Sequence, residues 1–190
     1  MSRKFNVAVL VGSLRKKSTT RKLAHAIIAE APENLSFNLV EIGDLPLYNE
    51  DLETETSPAA WSRFRQEVRD ADAVLFVSPE YNRSVPGALK NAIDVGSRPY
   101  GKAAFAGKPA AVVTGSPGGI GGFGANHHLR QSLVFLDMPV MAQPEAYVGG
   151  LWNLLDEEGQ VIKDETKGFL RTIAESFAAW IERTATGGKE

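Results

Sequence analysis

Three short stretches carry the residue types that could do chemistry. In the first, GSLRKKS (12–18), an apolar run stops at Gly12 and five cationic side chains follow within residues 14–22. A glycine-freed turn at a helix start presents backbone N–H groups with partial positive charge, which favours an anion such as a phosphate. Ser13 and Ser18 add hydroxyl donors, and Arg15, nearest the turn, adds a charged fork. Lys16, Lys17, Arg21 and Lys22 read as solvated charges that give general attraction. A basic first turn opposes the helix dipole, so a turn without an anion would leave this arrangement unexplained. The stretch lacks the second glycine and the G-K-[ST] ending of a nucleoside-triphosphate loop, and it is not G-x-G-x-x-G.

In the second stretch, SPEYNRSVPGALKNAID (78–94), Pro79 and Pro86 bracket a short segment that holds Glu80, Tyr81 and Asn82. A flat ring beside an amide that both donates and accepts suits a planar heterocycle of mixed polarity. The third stretch, TGSPGGIGGFG (114–124), has six glycines in eleven residues, which lets backbone donors approach a ligand closely. Gly119–Gly124 matches G-x-G-x-x-G, but it follows the fourth predicted strand, and Asp137 precedes the fifth strand instead of ending it. A dinucleotide fingerprint needs the opposite in both respects. His127 and His128 are adjacent, so on a helix they point about 100° apart and make no metal site. Trp61, Trp152 and Trp180 sit in apolar patterns and are expected in the core or an interface, and Glu157-Glu158-Gly159 in a solvated turn.

Elements that bring these stretches together are legible in the hydrophobic pattern. Phe5–Val11 is a continuous valine-rich run, the mark of a parallel strand covered on both faces. Residues 35–42, with Leu35, Phe37 and Leu39 alternating, predict a second strand at a sheet edge. Residues 73–78, 110–116 and 139–142 predict strands three to five. Ser18 or Thr19 is expected to cap the first helix, Ser57-Pro58 to supply the N-cap and first position of the second, and Pro86 to open the third. Leu129, Leu133 and Leu136 stripe the fourth, and Phe169, Ile173, Phe177, Trp180 and Ile181 the last. Strands alternating with helices make a doubly wound α/β sheet, of either the dinucleotide-binding or the flavodoxin-like variety. In both, ligands lie beyond the carboxyl ends of the strands, where all three stretches fall.

The 190 residues suit a single domain, 1–190, with 183–190 as a frayed tail. A net charge of −2 argues against a dedicated nucleic-acid binder and gives no attraction to anionic membranes. The absence of cysteine removes disulfides, thiolate metal sites and cysteine nucleophiles, and with no signal or spanning segment it points to a cytoplasmic protein.

With GSLRKKS, SPEYNRSVPGALKNAID and TGSPGGIGG in view, the sequence resembles the NADPH-dependent FMN reductase family, which includes bacterial chromate/quinone reductases and related azoreductases. The resemblance runs from Phe5 to about Phe177. It implies a flavodoxin-like five-stranded parallel sheet of order 2-1-3-4-5, bound FMN, NADPH or NADH as electron donor, and homodimers or homotetramers. Carried over by position, Ser13, Arg15, Ser18 and Thr20 would hold the FMN phosphate. Pro79, Glu80, Tyr81 and Asn82 would border the ribityl chain and ring, and Ser116, Gly118 and Gly119 its pyrimidine edge. Asp94, Ser97 and Arg98 would lie near a partner subunit's flavin. Thr20 stands where the family often has asparagine, and Val95 where many relatives have tryptophan. Since the flavin carries the redox chemistry, no catalytic side chain and no metal are implied. The expected activity is NAD(P)H oxidation with ping-pong transfer to a small acceptor: a quinone, chromate, an azo compound or free flavin. The alternatives are a non-enzymatic flavodoxin-type carrier, and a flavin-free dinucleotide-binding protein that uses the glycine run.

Overall fold

Past Asn6, valine, leucine and alanine leave no polar face on the first apolar run, and the chain answers by burying it from both sides. The structure, a computed structural model, describes residues 3–185. Its first strand, β1 (Phe5–Val11), lies inside a parallel sheet with β2 (Leu35–Leu39), β3 (Ala73–Ser78), β4 (Ala110–Gly115) and β5 (Ala146–Val148). The order is β2-β1-β3-β4-β5, so the flavodoxin-like alternative holds. In register, Val9 pairs with Leu39 on one side and Leu75 on the other, and Val77 with Val113, so the strand tips end level at one edge.

The two faces of the sheet part by the period of two that strands impose. Val7, Val9, Val11, Leu75 and Val77 pack under α1 (Thr19–Ala29) and α5 (Asp164–Ala185) with Leu23, Ile27, Ile173 and Phe177. Ala8, Leu10, Val74, Phe76 and Val112 pack under α2 (Ala59–Asp70), α3 (Gly87–Gly96) and α4 (Phe123–Phe135) with Trp61, Phe64, Leu89 and Leu129. Trp61 and Trp180 follow expectation, each seated with its indole N–H donating to a carbonyl, of Pro46 and Pro139 respectively.

Four expectations need correction. The fifth paired strand is residues 146–148, not 139–142. Val140 makes only an isolated bridge to Ala110, because Pro139 and Pro144 lack the N–H that a continuous ladder needs. Pro58, not Ser57, occupies the N-cap of α2, and the Ser57 hydroxyl donates to the Thr54 carbonyl instead. Lys22 is not a free charge, since its ammonium donates to the carbonyls of Asp156 and Glu157 and pins that turn to α1. Helix α5 continues through Ala185, and the rest of the expected tail lies outside the described residues. No helix among the described residues is long and apolar enough to cross a membrane.

Candidate functional site

The tip of β1 is drawn against the tip of β3. Gly12 donates its N–H to the Val77 carbonyl at 2.9 Å, and a Cβ at Gly12 would lie 2.5 Å from Ser78 Oγ and 3.1 Å from Ser78 Cβ, so any side chain there would have to displace Ser78. Beyond it, the hydroxyls of Ser13, Ser18 and Thr20 are nearly sealed from solvent, each residue being 3% exposed. Ser18 serves α1 as its N-cap. Its Oγ accepts from Arg21 N–H at 3.1 Å and shares a hydrogen with Thr20 Oγ1 at 3.1 Å. The first-turn amides ahead of Arg21 have no carbonyl within their own helix to reach. The first turn also holds no acidic side chain.

The loop after β3 is held by a two-residue turn. Tyr81 and Ser84 exchange backbone hydrogen bonds at 3.0 and 2.9 Å around Asn82 and Arg83, whose φ values of 51° and 63° are both left-handed. This turn holds Pro79, Glu80 and Tyr81 at the edge of the sheet and leaves Asn82 exposed outside the cleft. Glu80 is already committed: its carboxylate accepts from Ala125 N–H at 3.0 Å and lies 3.6 Å from Arg83. That contact also decides the G-x-G-x-x-G question. The helix terminus after the glycine run, where a dinucleotide pyrophosphate would sit, is occupied by a carboxylate of the chain itself.

The loop after β4 is fastened to the chain leaving β5. Ser116 donates its N–H to the Val148 carbonyl at 3.0 Å, and its Oγ donates to the Gly118 carbonyl at 3.0 Å. Gly121 combines a φ of 67° with backbone packing so close that a Cβ would lie 2.5 Å from the Tyr147 carbonyl carbon. A side chain fails there on both counts.

Together the three loops enclose a cleft of about 180 Å³. From the predicted residues it gathers Ser13, Arg15, Thr20, Pro79, Glu80, Tyr81 and Ser116. Ser18 lies just behind as a cap, and Asn82, Gly118 and Gly119 are not in its wall. Thr19, Gly115, Pro117, Leu151 and Trp152 complete it and were missed by sequence reasoning. Leu151 and Trp152 follow β5, whose misplacement hid that a fourth strand end reaches this edge. Trp152 is neither core nor covered; it is 67% exposed.

Only Arg15 and Glu80 of the lining are charged, and with Glu80 bonded to α4 the cleft presents hydroxyls, amides and a guanidinium. Such a donor set fits a phosphate and the polyol beside it, as in FMN. Asp94, Ser97 and Arg98 are not brought to this cleft. They line a groove of about 560 Å³ between α3 and α4, together with Lys90, His128 and Phe135. There Lys90 pairs with Asp94 at 2.8 Å, and the Ser97 hydroxyl donates to the Asp94 carbonyl. The adjacent histidines diverge, His128 Nδ1 meeting Ser84 Oγ at 2.9 Å and His127 Nε2 meeting the Tyr147 hydroxyl at 3.0 Å. Burial, then the nearby Glu145, raises the Tyr147 pKa, so the phenol stays protonated beside His127.

Comparison with known proteins agrees with this geometry. The chain is 62% identical over 182 residues to a quinone reductase of Pseudomonas putida, covering 96% of this chain and 97% of the relative. It is 43% identical over 175 residues to a 2-hydroxy-1,4-benzoquinone reductase of a Burkholderia species, covering 92% and 95%. Among solved structures, a flavoenzyme NAD(P)H:(acceptor) oxidoreductase from Paracoccus denitrificans superposes with a TM-score of 0.88 at 42% identity, covering 95% of this chain and 98% of that one. The pattern described as NADPH-dependent FMN reductase matches residues 5–153, a span that takes in all three loops and the Trp152 turn. That match over most of the chain, with relatives this similar along nearly their whole length and this sheet order, places the chain in the NADPH-dependent FMN reductase family.

Proposed function

We propose that the protein is an FMN-dependent NAD(P)H oxidoreductase whose acceptor is a quinone. The observation that carries this reading is the donor set of the cleft, in which buried hydroxyls and Arg15 face a space whose one carboxylate is bonded elsewhere. Ser13, Thr20, the α1 amides and Arg15 would hold the phosphate, and Ser18 would fix the α1 terminus that presents those amides. Pro79, Glu80, Tyr81 and Asn82 would border the ribityl chain and ring, with Ser116, Gly118 and Gly119 at the pyrimidine edge. Bound there, FMN supplies two-electron chemistry between a nicotinamide donor and an acceptor. The chain's own part is to anchor, to orient, and to offer glycine-loop N–H donors where negative charge develops. Donor and acceptor would use the same open face in turn, so initial rates should follow a ping-pong pattern.

The quinones named for the relatives support that acceptor class, and the same open face would admit chromate, azo compounds or free flavin. The α3–α4 groove supports assembly as a homodimer or homotetramer, with Asp94, Ser97 and Arg98 at the contact. The deciding experiment is the visible spectrum of FMN-loaded protein without oxygen. NADPH should bleach the flavin band and a benzoquinone should restore it over repeated cycles. A flavin that bleaches with dithionite but not with NADPH or NADH would leave only an electron carrier.

A further inference from the structure

We infer that Trp152 is a contact residue for the phosphoribityl tail of the bound cofactor, its indole forming part of the wall of the cleft that Arg15 also lines; this rests on the FMN reading given above. The other two tryptophans of this chain are provided for. Trp61 is fully buried and Trp180 half-buried, and each indole N–H donates to a backbone carbonyl. Trp152 alone of the three tryptophans lies on the wall of the cleft, 67% exposed, with no protein partner for its N–H.

The backbone beneath it is fixed. Gly150 turns the chain with a φ of 59°, and Leu151 buries its side chain in the α1–α5 core. Leu151 N–H then donates to the Ser116 carbonyl at 3.1 Å, Gly150 N–H to the Gly118 carbonyl at 3.3 Å, and Asn153 N–H to the Gly150 carbonyl at 2.8 Å. These bonds tie the Trp152 turn to the glycine loop, so the two move as one wall. The same cleft is lined by Ser13, Arg15, Thr19 and Thr20. An indole suits that position because its face can cover the ribityl carbons while its N–H meets an oxygen of the tail.

The test compares FMN affinity and release for the wild-type protein, Trp152→Ala and Trp152→Phe, each stripped of flavin and titrated by quenching of flavin fluorescence. An aromatic contact and a hydrogen bond to a charged group predict FMN affinity about 10- to 100-fold weaker in Trp152→Ala, with faster release. Trp152→Phe keeps a flat ring without the N–H and should fall between the two. Urea unfolding of the flavin-free proteins should be the same for all three, since an exposed indole adds little to the fold. Wild-type protein that takes up no FMN would remove the functional reading itself. Wild-type binding with both variants within twofold of it would leave that reading standing and overturn the role of Trp152. Weakened binding matched by an equal loss of flavin-free stability would also overturn it, since the residue would then act on the fold.

Discussion

Arg15 is the only cationic side chain among those lining the cleft, although five lie in the first loop and helix turn. Its worth is set by where it stands. Lys22 is spent on the carbonyls of Asp156 and Glu157, while Ser18 is spent on capping α1. Arg15 N–H bonds the Ser13 hydroxyl at 3.4 Å, which places residue and hydroxyl on the same wall. A charged hydrogen bond contributes about 1.5–3 kcal/mol. Arg15→Ala should therefore weaken FMN binding by roughly 10- to 150-fold. Equilibrium titration of the flavin-free variant checks this, and unchanged retention would take Arg15 out of the site.

At the scale of elements, the long strap that joins β2 to α2 must be held without regular structure of its own, apart from a short turn at Glu50–Leu52. Besides Trp61 and Arg63, which bond Pro46, Glu41 and Asp44, two further side chains hold it. Asn91 on α3 accepts from Tyr48 N–H at 2.8 Å and donates to the carbonyls of Leu45 and Pro46. Arg65 on α2, nearly buried, sends Nη1 and Nη2 to the two oxygens of Glu53 at 2.8 and 2.6 Å and Nε to the Val95 carbonyl at 2.9 Å. The hydrogen bonds from Arg65 lower the Glu53 pKa below its usual 4.5, outweighing burial, which raises it. Glu53→Ala leaves a buried guanidinium unpaired and should cost about 3 kcal/mol, read as a lower urea midpoint at neutral pH. Since the folded-state pKa is depressed, the stabilisation is complete above about pH 4.5 and is lost as pH falls through the lower folded value, so the gap between wild type and variant should close there. None of this was legible in the sequence, because Glu53 and Arg65 are twelve residues apart across a strap without periodicity. What periodicity does reach was legible: the first four strands and the amphipathic helices, with Ser18 or Thr19 read as the cap of α1 from residue type, whereas the strand order came from the family resemblance. Periodicity failed at β5, where three paired residues are too few to show it, and with that strand the Trp152 turn was lost from view.

For the whole molecule, the cleft and the groove make separate demands. The cleft is lined by residues at and after the ends of β1, β3, β4 and β5. The groove between α3 and α4 is different. Beside it Phe135 and Val134 are 78% and 72% exposed on a helix that otherwise buries Leu129 and Leu133. Lys90, Asp94 and Arg98 supply charges of both signs at its walls, which suits a self-complementary contact. Burying a phenylalanine contributes about 1.5–3 kcal/mol, and a twofold axis counts it twice. Phe135→Asp removes that and brings two carboxylates toward each other, so dimer dissociation should rise by roughly 100-fold or more. Light scattering at micromolar concentration should then give the mass of one chain, 20.5 kDa, for the variant and a multiple of it for the wild type. FMN content should stay near the wild-type level, since Phe135 is not in the cleft wall, whereas NADPH-dependent quinone turnover should fall if Arg98 serves the neighbouring subunit. A wild type that weighs one chain would confine the chemistry to a single copy and leave the groove without a role in it.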